Sequence, residues 1–218
     1  MTMADRIEVE RLVVWRGGHT VVSDASFEVG PGLWLVRGAN GSGKSTLLRA
    51  LAGVLPTRGG TARICGHDLR RDATAARACL CYVPESAELF GYLTAREFLQ
   101  TVAAFRGCAV ERAAELFASL TSSDALPTRI ASLSAGQRRK LLLSTTACGT
   151  PRVLLLDEPT NALDQEALAW LRVSLERWRD EDRVVLVAMH ADPIAVRWDG
   201  RLMVEAGVVS STPATAAS

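Results

Sequence analysis

A glycine-rich string near the start of the chain has the residue types that hold a phosphate chain. It reads Gly38-Ala-Asn-Gly-Ser-Gly-Lys44-Ser45 and follows an apolar run at 33–36 that predicts a buried strand. Its glycines let successive backbone N–H groups point inward, and a helix beginning near Lys44 adds its positive end. We therefore predict a triphosphate site made of Gly38, Asn40, Gly41, Ser42, Gly43, Lys44, Ser45 and Thr46.

Each polar side chain at the end of this string has an expected task. We expect Lys44 to reach the β- and γ-phosphates, Ser45 to place its hydroxyl on magnesium and Thr46 to touch the α-phosphate. The alternative is a chance glycine-rich turn, which the strand before it and the helix after it disfavour. The string alone leaves GTPases, kinases and many ATPases open.

Two adjacent carboxylates follow another apolar run. Residues 153–156 predict a buried strand that delivers Asp157 and Glu158 to the carboxyl end of a sheet, where ligands bind in open α/β folds. We expect Asp157 to hold magnesium through water and Glu158 to polarise the attacking water as general base. The alternative is an acidic strand end that only caps the next helix.

Between these two strings lies a third, Leu133-Ser-Ala-Gly-Gln137. The Ser134 hydroxyl, the Gly136 N–H and a helix N-terminus can form a second anion site. Taken alone the string is weak, since serine is also an ordinary helix N-cap.

Along the chain the order is the glycine-rich string, the string 133–137 and the carboxylates 157–158. In this order the three strings resemble the ATP-binding subunit of an ABC transporter, over roughly residues 7–207. The resemblance implies that Ser134, Ala135, Gly136 and Gln137 bind the γ-phosphate of the nucleotide held by the opposite subunit. Ala135 stands where the family usually has a glycine. The string after Glu158 continues Pro-Thr-Asn-Ala-Leu-Asp164 and is similar to the family's D-loop, which implies that Asp164 lies at the dimer seam.

The resemblance assigns tasks to a histidine and a tryptophan as well. His190 follows the apolar residues 184–189, in the position of the family's switch histidine, where a neutral imidazole can donate to the γ-phosphate and orient Glu158. A structural histidine at a strand end is the alternative. Trp15 fits the family's aromatic residue that stacks on adenine, and core packing is its alternative. We assign no role to His19 and His67.

One position departs from the family. The segment Cys81-Tyr-Val-Pro-Glu85 is similar to one in which the family usually carries a glutamine that touches magnesium. Glu85 can still ligate magnesium, but it adds a negative charge near the γ-phosphate. The glutamate and the residues 89–97 are similar to the ATPases of drug, antibiotic and polysaccharide exporters, which implies export.

The elements expected around these strings give an α/β fold. We predict strands at 7–14, 21–29, 33–36, 153–156 and 183–188, with helices from Ser45 to Pro56, from Ser134 and over 165–179. Thr94 and Glu97 form a capping box ahead of one of two helices in a subdomain at 85–133. The expected architecture is a P-loop NTPase (RecA-like) core at 1–84 and 134–209, with a mostly parallel sheet, an N-terminal antiparallel β subdomain and an inserted α-helical subdomain. Residues 210–218 are expected to be a disordered tail.

Composition limits the partners. The 218 residues carry 25 Lys+Arg against 24 Asp+Glu, which offers no broad field for nucleic acid. The five cysteines have no paired spacing, which favours reduced thiols in a cytosolic protein over disulfides or zinc. No apolar run is long enough to cross a bilayer, and the start lacks the apolar core of a signal peptide. Membrane-spanning subunits on separate chains must therefore supply any channel, with this protein peripheral on the cytoplasmic face.

The expected activity is magnesium-dependent hydrolysis of two ATP molecules sandwiched in a homodimer. A competing hypothesis is an ABC ATPase that acts on DNA or ribosomes. The DNA-acting members carry long coiled coils between the first and third strings, and residues 47–133 are too few for one; ribosome-acting members usually join two ATPase domains in one chain. A regulator that binds nucleotide without turnover is the third hypothesis.

Overall fold

The computed structural model describes residues 5–213 and arranges them around two β-sheets. In chain order the strands are β1 (Ile7–Arg16), β2 (His19–Val29), β3 (Gly32–Arg37), β4 (Thr57–Ile64), β5 (His67–Asp68), β6 (Leu80–Val83), β7 (Val153–Asp157), β8 (Val184–Ala188), β9 (Gly200–Glu205) and β10 (Val208–Pro213). The helices are α1 (Lys44–Leu51), α2 (Ala73–Ala78), α3 (Ala95–Phe105), α4 (Glu111–Leu120), α5 (Ala135–Ser144) and α6 (Gln165–Asp180). Three short 3-10 turns lie at Ser123–Ala125, Ile130–Ser132 and Thr145–Ala147.

The larger sheet is mostly parallel and has the order β10-β9-β3-β8-β7-β6. Only the β9–β10 pair is antiparallel. Every residue of β7 and β8 is buried, because both sequences are apolar runs with a sheet neighbour on each side and helices on each face. The smaller sheet is antiparallel, in the order β2-β1-β4-β5. The predicted α/β fold is thus confirmed.

This topology brings the sequence strings to one edge. Strands β3, β8 and β7 are neighbours and run parallel, so the residues that follow them leave the sheet on the same side. The glycine-rich string follows β3, Glu158 follows β7 and His190 lies just beyond β8.

Helix α5 lies between two hydrophobic cores. Residues 85–133 contain α3 and α4, and both halves of the predicted capping box at Thr94 are formed. Their core includes the fully buried Phe117 and is joined by Leu141 of α5. The next two residues of α5, Leu142 and Leu143, pack instead into the core under the parallel sheet. Helix α5 therefore packs against both layers.

Two predicted boundaries are wrong. Helix α1 ends at Leu51 rather than at Pro56, because Gly53 adopts the left-handed conformation (φ +68°) that ends the helical turn. Residues 210–213 belong to β10 and pair with β9, for example Ser210 with Met203, because backbone hydrogen bonds at a sheet edge do not need large apolar side chains. The rest of the expected tail, 214–218, lies outside the described residues.

Candidate functional site

The glycine-rich string forms a loop between β3 and α1. A Cβ at Gly38 would overlap the carbonyl oxygen of Val204, so this position requires glycine. Helix α1 begins at Lys44, and no side chain caps its N-terminus. Its first N–H groups are therefore open to an anion.

Lys44 is held inside this loop. Its Nζ donates to the carbonyl oxygens of Gly38 (2.9 Å) and Ala39 (3.1 Å), and the residue is only 6% exposed. Burial lowers the pKa of Lys44, and the charges of Glu158 and Asp157 oppose that shift. The ammonium is thus aimed at the loop, with carbonyls as its hydrogen-bond partners.

Asp157 is fully buried at the end of β7. Its Oδ1 accepts from Ser45 Oγ at 3.0 Å and its Oδ2 from the Tyr82 hydroxyl at 3.4 Å. Burial raises the pKa of Asp157, and the Ser45 hydrogen bond opposes that rise. Burial also raises the pKa of Tyr82 to about 12, so Tyr82 remains a donor at neutral pH.

Glu158 combines a strained backbone with a buried carboxylate oxygen that has no hydrogen-bond partner. Its backbone is in the left-handed region (φ +48°), which costs energy for a residue other than glycine. The residue is 5% exposed, and burial raises the pKa of its side chain, opposed by the charge of His190. His190 Nε2 lies 3.2 Å from Oε1, but not in hydrogen-bonding geometry, so Oε1 has no hydrogen-bond partner.

Lys44, Glu158 and His190 line one cavity of about 700 Å³, and so does Ser45, whereas its hydrogen-bond partner Asp157 does not. Among the described residues, the two buried side-chain oxygens without a hydrogen-bond partner are Ser42 Oγ and Glu158 Oε1, and both belong to the segments that form this site. Unpartnered oxygens at this place fit the binding of a polar ligand. Of the predicted site residues, those that line the cavity are Asn40, Gly41, Gly43, Lys44, Ser45, Thr46, Glu85, Glu158 and His190.

The third string lies elsewhere on the molecule. Ser134 is the N-cap of α5, where its hydroxyl accepts from the Gln137 N–H, and neither residue lines the cavity. A Cβ on Gly136 would lie 2.9 Å from the Ala162 carbonyl oxygen, so the start of α5 packs closely on the loop that precedes α6. Ser134 is therefore a helix N-cap, as the alternative stated, and binding of an anion would be a second role.

Comparison with known proteins decides the family. The sequence model described as ABC transporter matches residues 22–161, more than half of the chain. The chain belongs to the ABC transporter family. Nod factor export ATP-binding protein I of Paraburkholderia xenovorans (strain LB400) is 35% identical over 91% of this chain and 67% of its own length. The cytochrome c biogenesis ATP-binding export protein CcmA of the same organism is 34% identical over 84% of this chain and 90% of its own.

Solved structures agree with the fold of an ABC ATPase. A dimeric ATP-binding cassette in a post-hydrolysis state, bound to ADP and Pi, superimposes with a TM-score of 0.84 at 19% identity, covering 97% of this chain and all of that one. The predicted family and the predicted fold are thus confirmed. Within residues 5–213, no helix combines the length and the apolar character needed to cross a membrane.

Trp15 is placed near the cavity rather than in the core. It is 40% exposed, and the Arg58 guanidinium carbon lies 4.8 Å from the centroid of its ring. The core-packing alternative for Trp15 is therefore wrong. Its neighbours Arg16 and Gly17 line the cavity while Trp15 does not, and adenine stacking on this ABC subunit stays a prediction.

Asp164 has partners within its own chain. One carboxylate oxygen accepts from the Ala167 N–H at 2.9 Å, which caps α6, and the other lies 2.6 Å from Lys140 Nζ. The Lys140 hydrogen bond holds the pKa of Asp164 below its ordinary value. Asp164 does not line the cavity, and its place at a dimer seam stays a prediction.

Several residues near the site carried no expectation from the sequence. His19 and Arg16 line the cavity because the β1–β2 turn reaches over the phosphate loop, which no local pattern indicates. Asn161 Nδ2 donates to Glu85 Oε1 at 3.4 Å. Tyr82 lies on β6, a strand that the sequence analysis does not predict. Buried Arg139 had no signal beyond following the third string.

Proposed function

We propose that this chain hydrolyses ATP to power movement of a substrate through membrane-spanning subunits on separate chains. The observation that carries the proposal is the unpartnered Glu158 Oε1, buried beside the phosphate loop in one cavity. An attacking water next to the γ-phosphate would donate to this oxygen. The raised pKa of Glu158 makes its carboxylate a stronger base than an ordinary glutamate, and His190 is close enough to orient it.

Magnesium fits the oxygen donors at the strand end. The Ser45 hydroxyl and the Asp157 carboxylate already meet at 3.0 Å, and Glu85 lines the same cavity. Within residues 5–213 no cluster of three His, Cys, Asp or Glu residues could hold a metal ion by itself. Magnesium needs only one or two protein oxygens when phosphates supply the rest, and it would neutralise charge on those phosphates.

We infer that two copies share each ATP. Residues 134–137 do not line the chain's own cavity, yet they present a helix N-terminus with a hydroxyl and an N–H beside it. A second copy facing the first would place these groups over the bound triphosphate. The dimeric cassette with the same fold supports this arrangement, and intact strings in one sequence favour a homodimer.

Export is the direction best supported for the substrate. Two relatives at 34% and 35% identity have names that include export, although the chain spans only 67% of the first relative's length. Phe90 (61% exposed) and Tyr92 (72% exposed) follow Glu85 and offer an apolar contact for a membrane-spanning partner. Such a partner would hold the protein on the cytoplasmic face of the membrane. The near-neutral charge gives no support to a nucleic-acid partner.

Phosphate release by the purified chain tests the proposal. We expect steady release from ATP with magnesium, and none when a chelator removes the metal. Copurification from native cells should recover membrane proteins rather than RNA. Binding of ATP without any release, alone or with the membrane partner, would make the chain a nucleotide-binding regulator instead.

Exchange of Glu85 for glutamine should have a modest effect on metal dependence. Glu85 is exposed and its carboxylate lies near the magnesium donors, so Glu85→Gln removes an attraction of at most about 1 kcal/mol. We expect the magnesium concentration for half-maximal turnover to rise by up to about fivefold. Titration of turnover against magnesium measures this, with Glu88→Gln, another exposed glutamate three residues along, as the control. Identical curves for all three proteins would show that Glu85 does not act on the metal.

A further inference from the structure

Arg139 is buried between three segments of the chain. It lies in the second turn of α5 and is 4% exposed. Its Nη2 donates to the Asp157 carbonyl at 2.7 Å and its Nε lies 3.4 Å from the Pro159 carbonyl. Its Nη1 donates to the carbonyls of Pro84 and Glu85, the latter at 3.3 Å. One guanidinium thus joins α5 to residues 84–85 and to residues 157–159.

The joined segments all carry groups of the proposed site. Residues 84–85 bear the Glu85 carboxylate, and residues 157–159 bear Asp157 and Glu158. Helix α5 begins at the string proposed to face the partner's nucleotide. Arg139 therefore links the groups a chain uses on its own ATP to those it offers to the ATP of its partner.

The partners of Arg139 are backbone oxygens, which fits a positioning role. Burial lowers the pKa of Arg139 to about 10, and the charges of Asp157, Glu85 and Glu158 act against the lowering. The guanidinium is therefore charged at neutral pH without being engaged by a carboxylate. Its planar fork spreads donors over three nitrogens and so reaches carbonyls on separate segments, whereas the donors of a lysine all lie on one nitrogen.

We propose that Arg139 is a positioning residue that fixes Glu85 and Glu158 relative to the signature end of α5 in the same chain. The expected effect of Arg139 on ATP turnover rests on the proposed function. When α5 moves as the partner's ATP is enclosed, the guanidinium carries residues 84–85 and 157–159 with it, which places Glu158 for turnover. Removal of the fork leaves the phosphate loop intact and misplaces the general base.

The test compares three variants with the parental chain. Arg139→Met removes the donors, Arg139→Lys keeps the charge but not the fork, and Arg106→Met is the matched control. Arg106 also joins the helical segment to a strand through a backbone carbonyl, that of Leu80 at 2.9 Å, but contacts neither site segment. Hydrogen–deuterium exchange of the nucleotide-free proteins is measured first, then the Kd for ATP, KM and kcat.

We expect Arg139→Met to speed exchange in peptides that cover 83–90 and 153–163, with Arg139→Lys intermediate and Arg106→Met unchanged there. The Kd for ATP should stay at the parental value. The kcat should fall by about 10²-fold, the cost of misplacing a reacting group by about 1 Å, with partial recovery in Arg139→Lys. Should Arg139→Met fail to fold, Arg139→Lys decides by the same two peptides and the same split between Kd and kcat.

Two results would overturn the proposal. One is exchange in these peptides equal to that of the parental chain, and the other is an equal rise in Arg139→Met and Arg106→Met, which would make Arg139 an ordinary structural residue. A parental chain without ATPase activity would refute the proposed function, while the exchange measurement would still decide whether Arg139 holds the two segments.

Discussion

Glu158→Gln slows turnover of ATP by about 10²-fold or more, while ATP binding persists. Glutamine keeps the size and shape of the side chain but cannot take a proton from water. Glu158 Oε1 has no hydrogen-bond partner that could take the proton instead, and the phosphate loop would bind ATP without Glu158. Steady-state phosphate release measures the loss, and equilibrium binding of ATP measures what is retained.

A matched control separates the base from general effects of charge. Glu176 lies on α6, is partly exposed, pairs with Arg172 at 3.4 Å and does not line the cavity. Glu176→Gln should hydrolyse ATP at the parental rate. If Glu158→Gln did the same, the general base would be another residue.

Lys44→Met abolishes most of the affinity for ATP. The Lys44 ammonium is nearly buried and its hydrogen-bond partners are the carbonyls of Gly38 and Ala39, so a phosphate oxygen would gain a charged donor at little cost in reorganisation. A hydrogen bond to a charged group contributes about 1.5–3 kcal/mol, or about 10- to 150-fold in Kd. Isothermal titration with ATP and magnesium measures the change.

The chain's only other lysine supplies the control for this variant. Lys140 is also largely buried, but its Nζ holds the Asp164 carboxylate outside the cavity. Lys140→Met should therefore bind ATP as tightly as the parental chain. Equal losses in the two folded variants would mean that Lys44 does not contact the triphosphate.

The residues near the phosphates could be predicted because their chemistry is local. Gly38 to Thr46 form one continuous loop and helix start, and Asp157 with Glu158 directly follows an apolar strand. The residues that act together in each string are also neighbours in sequence, so the string itself shows their types and spacing. The parallel order of β3, β8 and β7 then brings these strings together, as the pattern of apolar runs indicates.

The residues that support the site without lining its cavity could not be predicted. Arg139 contacts segments far along the chain and arginine is rarely so deeply buried, while half-buried Tyr82 reaches Asp157 only through the pairing of β6 with β7. Strands β4, β5, β6, β9 and β10 are missing from the prediction, and the sequences of β4 and β9 lack a clear apolar alternation. The chain end at 210–213 was misjudged for a related reason, since its ordering comes from a neighbouring strand.

The string 133–137 has one observed role and one proposed role, which its sequence cannot separate. Ser134 caps α5, and the same hydroxyl is proposed to meet the partner's nucleotide. Both roles need a helix N-terminus, so the cap does not argue against the anion site. Only a second copy of the chain distinguishes them.

The molecular mass of the Glu158→Gln chain with ATP and magnesium tests the shared site most directly. Since hydrolysis is blocked, the enclosed nucleotide should hold two copies together, and sedimentation equilibrium should give twice the mass of one chain. Without nucleotide the mass should be that of a single chain. A single-chain mass at ATP concentrations that saturate binding would contradict a site completed by a second copy.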